Sequence, residues 1–132
     1  PKETLTGTHL WRESGVEIAF GPLAAPGEEK PPFAQYDINA LGAFRGFHAA
    51  KDNREGVDVA VTLDRQASVF TIEAALPLKA PGYDYAGHKA LTFNVARMIY
   101  TRDSYESDAI LGWHPIFVTV SDPASRGMAF FP

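Results

Sequence analysis

At 132 residues, with 45% hydrophobic and 12% aromatic content and a formal charge of -4, the chain holds apolar material for one core but no basic excess to neutralise phosphates, which argues against nucleic acid. It has no apolar run of about 18 residues to insert in a membrane. The absence of cysteine excludes a disulfide framework, thiolate metal sites and thiol nucleophiles.

In chain order, the first segment, Pro1-Lys2-Glu3-Thr4, lacks Met and the basic and apolar regions of a signal peptide, so the chain reads as a processed or excised piece. Val16, Ile18 and Phe20 alternate with Glu17 and Ala19, which predicts a strand stopped by Gly21-Pro22. Leu23 to Pro32 is a Pro-, Gly- and Glu-rich loop. Strands are predicted over Ala34 to Asn39 and, after the Gly42 turn, over Ala43 to His48, followed by a polar turn from Lys51 to Gly56. Val57, Val59, Val61 and Leu63, then Phe70, Ile72 and Ala74 beyond Asp64-Arg65-Gln66, predict a hairpin.

Pro77 ends the second arm because proline cannot donate to a ladder, and Ala80 to His88 reads as a loop. Leu91 to Tyr100 is the longest predicted strand. Thr101 to Ile110 is polar and acidic, Phe117 to Ser121 alternates again, and Gly127 to Phe131 supplies a last short strand. No helical stripe and no internal repeat interrupts this series, so the expected fold is all-β: one domain over residues 1–132, an antiparallel β-sandwich of jelly-roll or immunoglobulin-like type.

The chain contains no G-x-S-x-G elbow, H-E-x-x-H, P-loop or G-x-G-x-x-G, so the expectation is a non-catalytic protein. Glu28-Glu29 is a solvated loop charge, since glycoside hydrolysis needs two carboxyls facing one bond across a cleft. A sugar ring has apolar faces and a hydroxyl rim, and its site needs flat aromatic surfaces with a few hydrogen-bonding groups. The two tryptophans, Trp11 and Trp113, both lie beside loop signals, although taken singly each reads as a core residue.

A run of motifs resembles family 9 carbohydrate-binding modules. Trp11 to Phe20 is similar to that family's W-x-x-D-x-V-E-I-x-F, and Tyr36 to Gly42 to its strand ending in N-x-x-G. Glu73 to Pro77 resembles E-x-A-I-P, and Phe93 to Arg97 resembles F-N-I-x-R. Gly112-Trp113-His114-Pro115 and Asp122-Pro123 to Phe130 resemble the closing W-x-P and D-P-x-x-F-G-x-L-x-F.

The resemblance implies a secreted or cell-envelope module that holds the end of an oligo- or polysaccharide between Trp11 and Trp113, with Glu17 binding hydroxyls. The family's amide before the second Trp is Ile110 here, which leaves Asp108 as the nearest polar substitute. Ser14 stands where the family has Asp, and Ser125-Arg126 replaces its Phe before Gly127. Only ten residues precede Trp11, fewer than the family's N-terminal strands require, so a companion chain or segment is expected to complete the sandwich.

Two alternative classes stand beside this one. Related sandwiches bind haem through Met with His or Lys, and Met98 with His9, His48, His88 or His114 would be the means, although a Met on a strand ordinarily packs. The other is a structural or assembly domain of a larger envelope protein. Structural calcium is left open by Asp37, Asn39, Asp52, Asn53, Asp103 and Asp108, although no D-x-D-x-D-G loop is present. Glu73 is expected to pair with Arg97.

Overall fold

A computed structural model of the chain describes residues 10, 13–29, 31–48, 51–52, 56–77, 79–80, 83–84, 90–100, 109–116, 119 and 123–130. The fold is all-β and antiparallel, and among the described residues no helix is long and apolar enough to cross a membrane. Its strands are β1 (Gly15–Gly21), β2 (Ala34–Asn39), β3 (Phe44–His48), β4 (Lys51–Asp52), β5 (Asp58–Asp64), β6 (Val69–Ala75), β7 (Lys79–Ala80), β8 (Tyr83–Asp84), β9 (Ala90–Ile99), β10 (Ala109–Gly112) and β11 (Gly127–Phe130).

Seven of these strands form one sheet in the order β10-β9-β1-β2-β3-β4, with β11 also on β9. β5 and β6 form a separate hairpin, and β7 with β8 a short ladder. On the outer edge of β9, β11 lies opposite Ala90 to Phe93 and β10 opposite Ala96 to Ile99, which leaves a gap at Asn94 and Val95.

Register decides which side chains meet. Gly15 lies opposite Asn39 on one side and Met98 on the other, so Val16, Ile18 and Phe20 share a face with Ile38, Tyr36 and Ala34 and with Arg97, Val95 and Phe93. Phe20 stacks on Tyr36 at 6.1 Å between ring centroids, and Ala34 and Leu91 complete a buried cluster. Val57 and Leu76, at the open end of the β5–β6 hairpin, pack against that cluster and hold the hairpin over this face. Burial of Phe20 alone contributes roughly 1.5–3 kcal/mol.

The Tyr36 hydroxyl is buried with no hydrogen-bond partner. Tyr36→Phe removes a desolvated polar group and keeps the ring stack. It is expected to raise the unfolding free energy by about 1 kcal/mol in urea titrations; an equal loss would show that the hydroxyl is satisfied.

The opposite face carries Glu17 and Ala19, Gln35, Asp37 and Asn39, and Asn94 and Ala96. Ala19 and Ala96 are small enough for Ile116 to seat against them. Asn39 closes the β2–β3 turn: its Oδ1 accepts from the Leu41 and Ala43 amides at 3.0 and 2.9 Å, and Gly42 adopts a φ of 85° that suits glycine. Its Nδ2 donates to Glu13 Oε2 at 2.6 Å, which ties the segment before β1 to this turn.

The strand expectations hold for β1, β2, β3, β5, β6, β9 and β11, with ends shifted by a residue or two. Four strands fall where loops or turns were expected, wholly or in part. β4 lies inside the Lys51–Gly56 turn, β7 and β8 meet at the Ala80–His88 loop, and β10 begins inside the acidic stretch. Each has two to four residues, too few to display a period of two. The strand expected over Phe117 to Ser121 lies outside the described residues except for Thr119.

Candidate functional site

Trp113 follows β10 at the gap on the outer edge of β9, and its amide donates to the Val95 carbonyl at 2.8 Å. The next residue crosses to the other face. The His114 amide donates to Asn94 Oδ1 at 3.0 Å, while Asn94 Nδ2 donates to the His114 carbonyl at 3.1 Å and the Ser125 carbonyl at 2.5 Å. One fully buried amide therefore latches two chain crossings onto β9.

The indole leans on Phe93 at 5.2 Å between centroids, tilted by 52°. A side chain at Gly127 would come within 2.9 Å of the indole, so glycine there lets the ring settle between β10 and β11. The ring is braced on two sides, yet Trp113 is 62% exposed. The core position a single tryptophan suggests is thus not the one it takes, because the gap in the ladder delivers it to the edge. Ile110, Leu111, Met128 and Phe130 continue the exposed apolar row along the same edge.

Glu17 lies elsewhere. It sits half-buried on β1 between Asp37 and Ala96, on the face opposite to Phe93. Register thus does not bring its carboxyl together with the Trp113 platform, although the resemblance places the two in one sugar site. Glu17 and Asp37 are direct cross-strand partners, and Gln35 Nε2 donates to Asp37 Oδ1 at 3.2 Å.

Burial, and then the charge of Asp37, push the Glu17 carboxyl up to about 7 against a hydrogen bond from Gln35 that lowers it. Burial raises Asp37 to about 6 despite Gln35 and Arg45, which lies directly opposite it on β3. Trp11 and Asp108 lie outside the described residues.

The expected Glu73–Arg97 pair does not form. Arg97 stands 5.2 Å over the Phe70 ring, while alternation along β6 turns Glu73 to the hairpin's outer face, opposite Ala60. Among the described residues no group of three or more His, Asp or Glu side chains could hold a metal ion. Asn39 spends its side chain on the turn, and Asp37 is engaged by Gln35 and faced by Arg45, so neither fits a calcium cradle; Asn53, Asp103 and Asp108 lie outside the described residues.

Met98 is packed in the core at 3% exposure. His9 and His88 lie outside the described residues, and the His114 Nδ1 is buried with no hydrogen-bond partner.

The residues missed by sequence reasoning are Asn94, Phe93 and Gly127 in their bracing role. Asn94 and Phe93 stand inside the F-N-V-A-R motif and Gly127 inside the last, but their partners lie 14 to 31 positions away, beyond any local pattern. Comparison with known protein families, characterised proteins and solved structures finds no match.

Proposed function

We propose that the chain is a non-catalytic carbohydrate-binding module in which Trp113 is the platform for a sugar ring. The observation that carries this reading is a tryptophan 62% exposed yet braced by Phe93 and held at a ladder gap by Asn94. An exposed indole normally costs solvation and rotamer freedom; one fixed before the ligand arrives loses less on binding. The apolar face of a saccharide stacks on such a surface without closing a pocket around it. Trp11 is the second wall in this reading, and Glu17 is left out of it.

The hairpin held over one face of the sheet supports the β-sandwich reading, and the exposed edge of Ile110, Leu111, Met128 and Phe130 supports a companion chain or segment along β10 and β11. A secreted or envelope location follows from a polysaccharide ligand.

Calorimetry against cello-, xylo- and glucan oligosaccharides tests the proposal. Trp113→Ala should weaken the binding by at least about tenfold, equal to roughly 1.4 kcal/mol, with an unchanged circular dichroism spectrum because the side chain is exposed. No heat with any oligosaccharide, or equal affinity in the variant, would remove the reading.

A further inference from the structure

Between the β5–β6 hairpin and the sheet lies a cavity of about 460 Å³, lined by Val16, Ile18 and Val95 from below and by Phe70, Ile72 and Ala74 from above, with Ser68, Val69 and Arg97 at one end. It lies between the places where the hairpin meets the sheet, one of them Val61 over the β2–β3 turn at Gly42. Val57 and Leu76 pack its open end on the Phe20–Tyr36 cluster, whereas near its turn end Phe70 meets the sheet through the Arg97 guanidinium at 5.2 Å.

The turn itself is well formed. Asp64 Oδ1 accepts from the Gln66 and Ala67 amides at 2.9 Å each, and Ser68 takes a φ of 54°, which delivers Val69 and Phe70 over the sheet. The gap is therefore built between two ordered layers.

Its chemistry is polarised. The interior offers aliphatic side chains, and the turn end offers one cation and one hydroxyl. Arg97 lies opposite Val16 and Leu111, and among the described residues no carboxylate pairs with it. A guanidinium held over a ring and facing an apolar chamber is matched by an anion that brings an apolar body with it.

We propose that this cavity binds a hydrophobic monocarboxylate, with its apolar body between Ile18, Val95 and Ile72 and its carboxylate received by Arg97 beside Ser68. The site is separate from the Trp113 platform, whose indole is not among the lining side chains. A saccharide, with hydroxyls around its whole rim, would leave most of them unpaired in this interior.

The test is calorimetric titration of the whole chain with decanoate, decanol and decyltrimethylammonium below their aggregation concentrations. Decanoate should bind more tightly than decanol by about tenfold or more, and the cation should be weakest. Arg97→Gln, at an exposed position, should bring decanoate down to the level of decanol, and Ala74→Phe should abolish the binding of both.

If Ala74→Phe fails to fold, the Arg97→Gln comparison alone decides. Equal affinity for acid and alcohol, or an unchanged preference in Arg97→Gln, would overturn the proposal, as would absence of decanoate binding. Trp113→Ala should leave decanoate affinity within about twofold. Loss there would assign the binding to the exposed edge and overturn the cavity site, whereas loss of oligosaccharide binding alone would bear only on the sugar reading.

Discussion

Asn94→Leu, which keeps the number of side-chain heavy atoms but removes the amide, is expected to cost about 4 kcal/mol of folding stability. Asn94 is completely buried, and its amide satisfies the His114 amide, the His114 carbonyl and the Ser125 carbonyl together. Leucine removes the amide's hydrogen bonds to all three groups, each worth roughly 1–3 kcal/mol when water cannot replace the partner. A domain of this size has only about 5–15 kcal/mol in total, so the variant should lose much of its cooperative transition in urea.

Asn94→Asp is a sharper probe. It keeps the acceptor for the His114 amide but turns a carboxylate towards two carbonyl oxygens, so it should be at least as unstable as the leucine variant at pH 7 and recover partly near pH 4. A loss below about 1 kcal/mol for either variant would mean that the two crossings are anchored elsewhere. If the proposed sugar binding holds, the affinity measured in any fraction that folds should fall as well, because the same amide fixes the backbone on which the Trp113 indole stands.

The same residue shows what could be read from the sequence. The long alternating runs declare themselves in β1, β5, β6 and β9, since an amphipathic strand has to place every second side chain in the core. The N-x-x-G and F-N-V-A-R segments were also visible, but as a likeness. Their physical meaning, a turn clamp at Asn39 and a double latch at Asn94, depends on which distant backbone passes by, and no local period encodes that.

Trp113 illustrates the reverse case. Gly112 and Pro115 mark a loop, but whether its indole is buried depends on the gap between β10 and β11, which only their pairing to β9 creates. Glu17 likewise reads from the sequence as a lone glutamate among apolar neighbours. Only the register Gly15 to Asn39 sets it opposite Asp37 and on the far face from the tryptophan platform; a slip of one residue would reverse its face and separate the carboxyls.

That pairing predicts an unusual pH profile, in which the protein becomes less stable as pH rises through neutrality. Glu17, raised from 4.5 to about 7, faces Asp37 and Gln35 on β2 and the neutral Ala96 on β9; Asp37, raised from 3.8 to about 6, faces Arg45 on β3 as well. Both carboxyls hold protons more tightly folded than unfolded. Below about pH 4 both states are protonated and the pair costs nothing.

Between about pH 4 and 7 the unfolded chain has released protons that the folded one retains, so each pH unit removes stability, and above 7 the full penalty is present. For Glu17 alone, about 2.5 pH units at about 1.4 kcal/mol each give about 3.5 kcal/mol. Because ionising one carboxyl raises the cost of ionising the other, the pair should lose less than the sum of two independent groups.

Glu17→Gln removes one charge, relieves Asp37 of its like-charged neighbour, and should stabilise the protein by about 2 kcal/mol at pH 8 while changing little at pH 4. Urea titrations of both proteins at pH 4, 6 and 8 decide the matter. Stability of the unmutated chain that rises or stays level from pH 4 to 8, or a glutamine variant that is weaker at pH 8, would show that the carboxyls are solvated rather than forced together beneath the sheet.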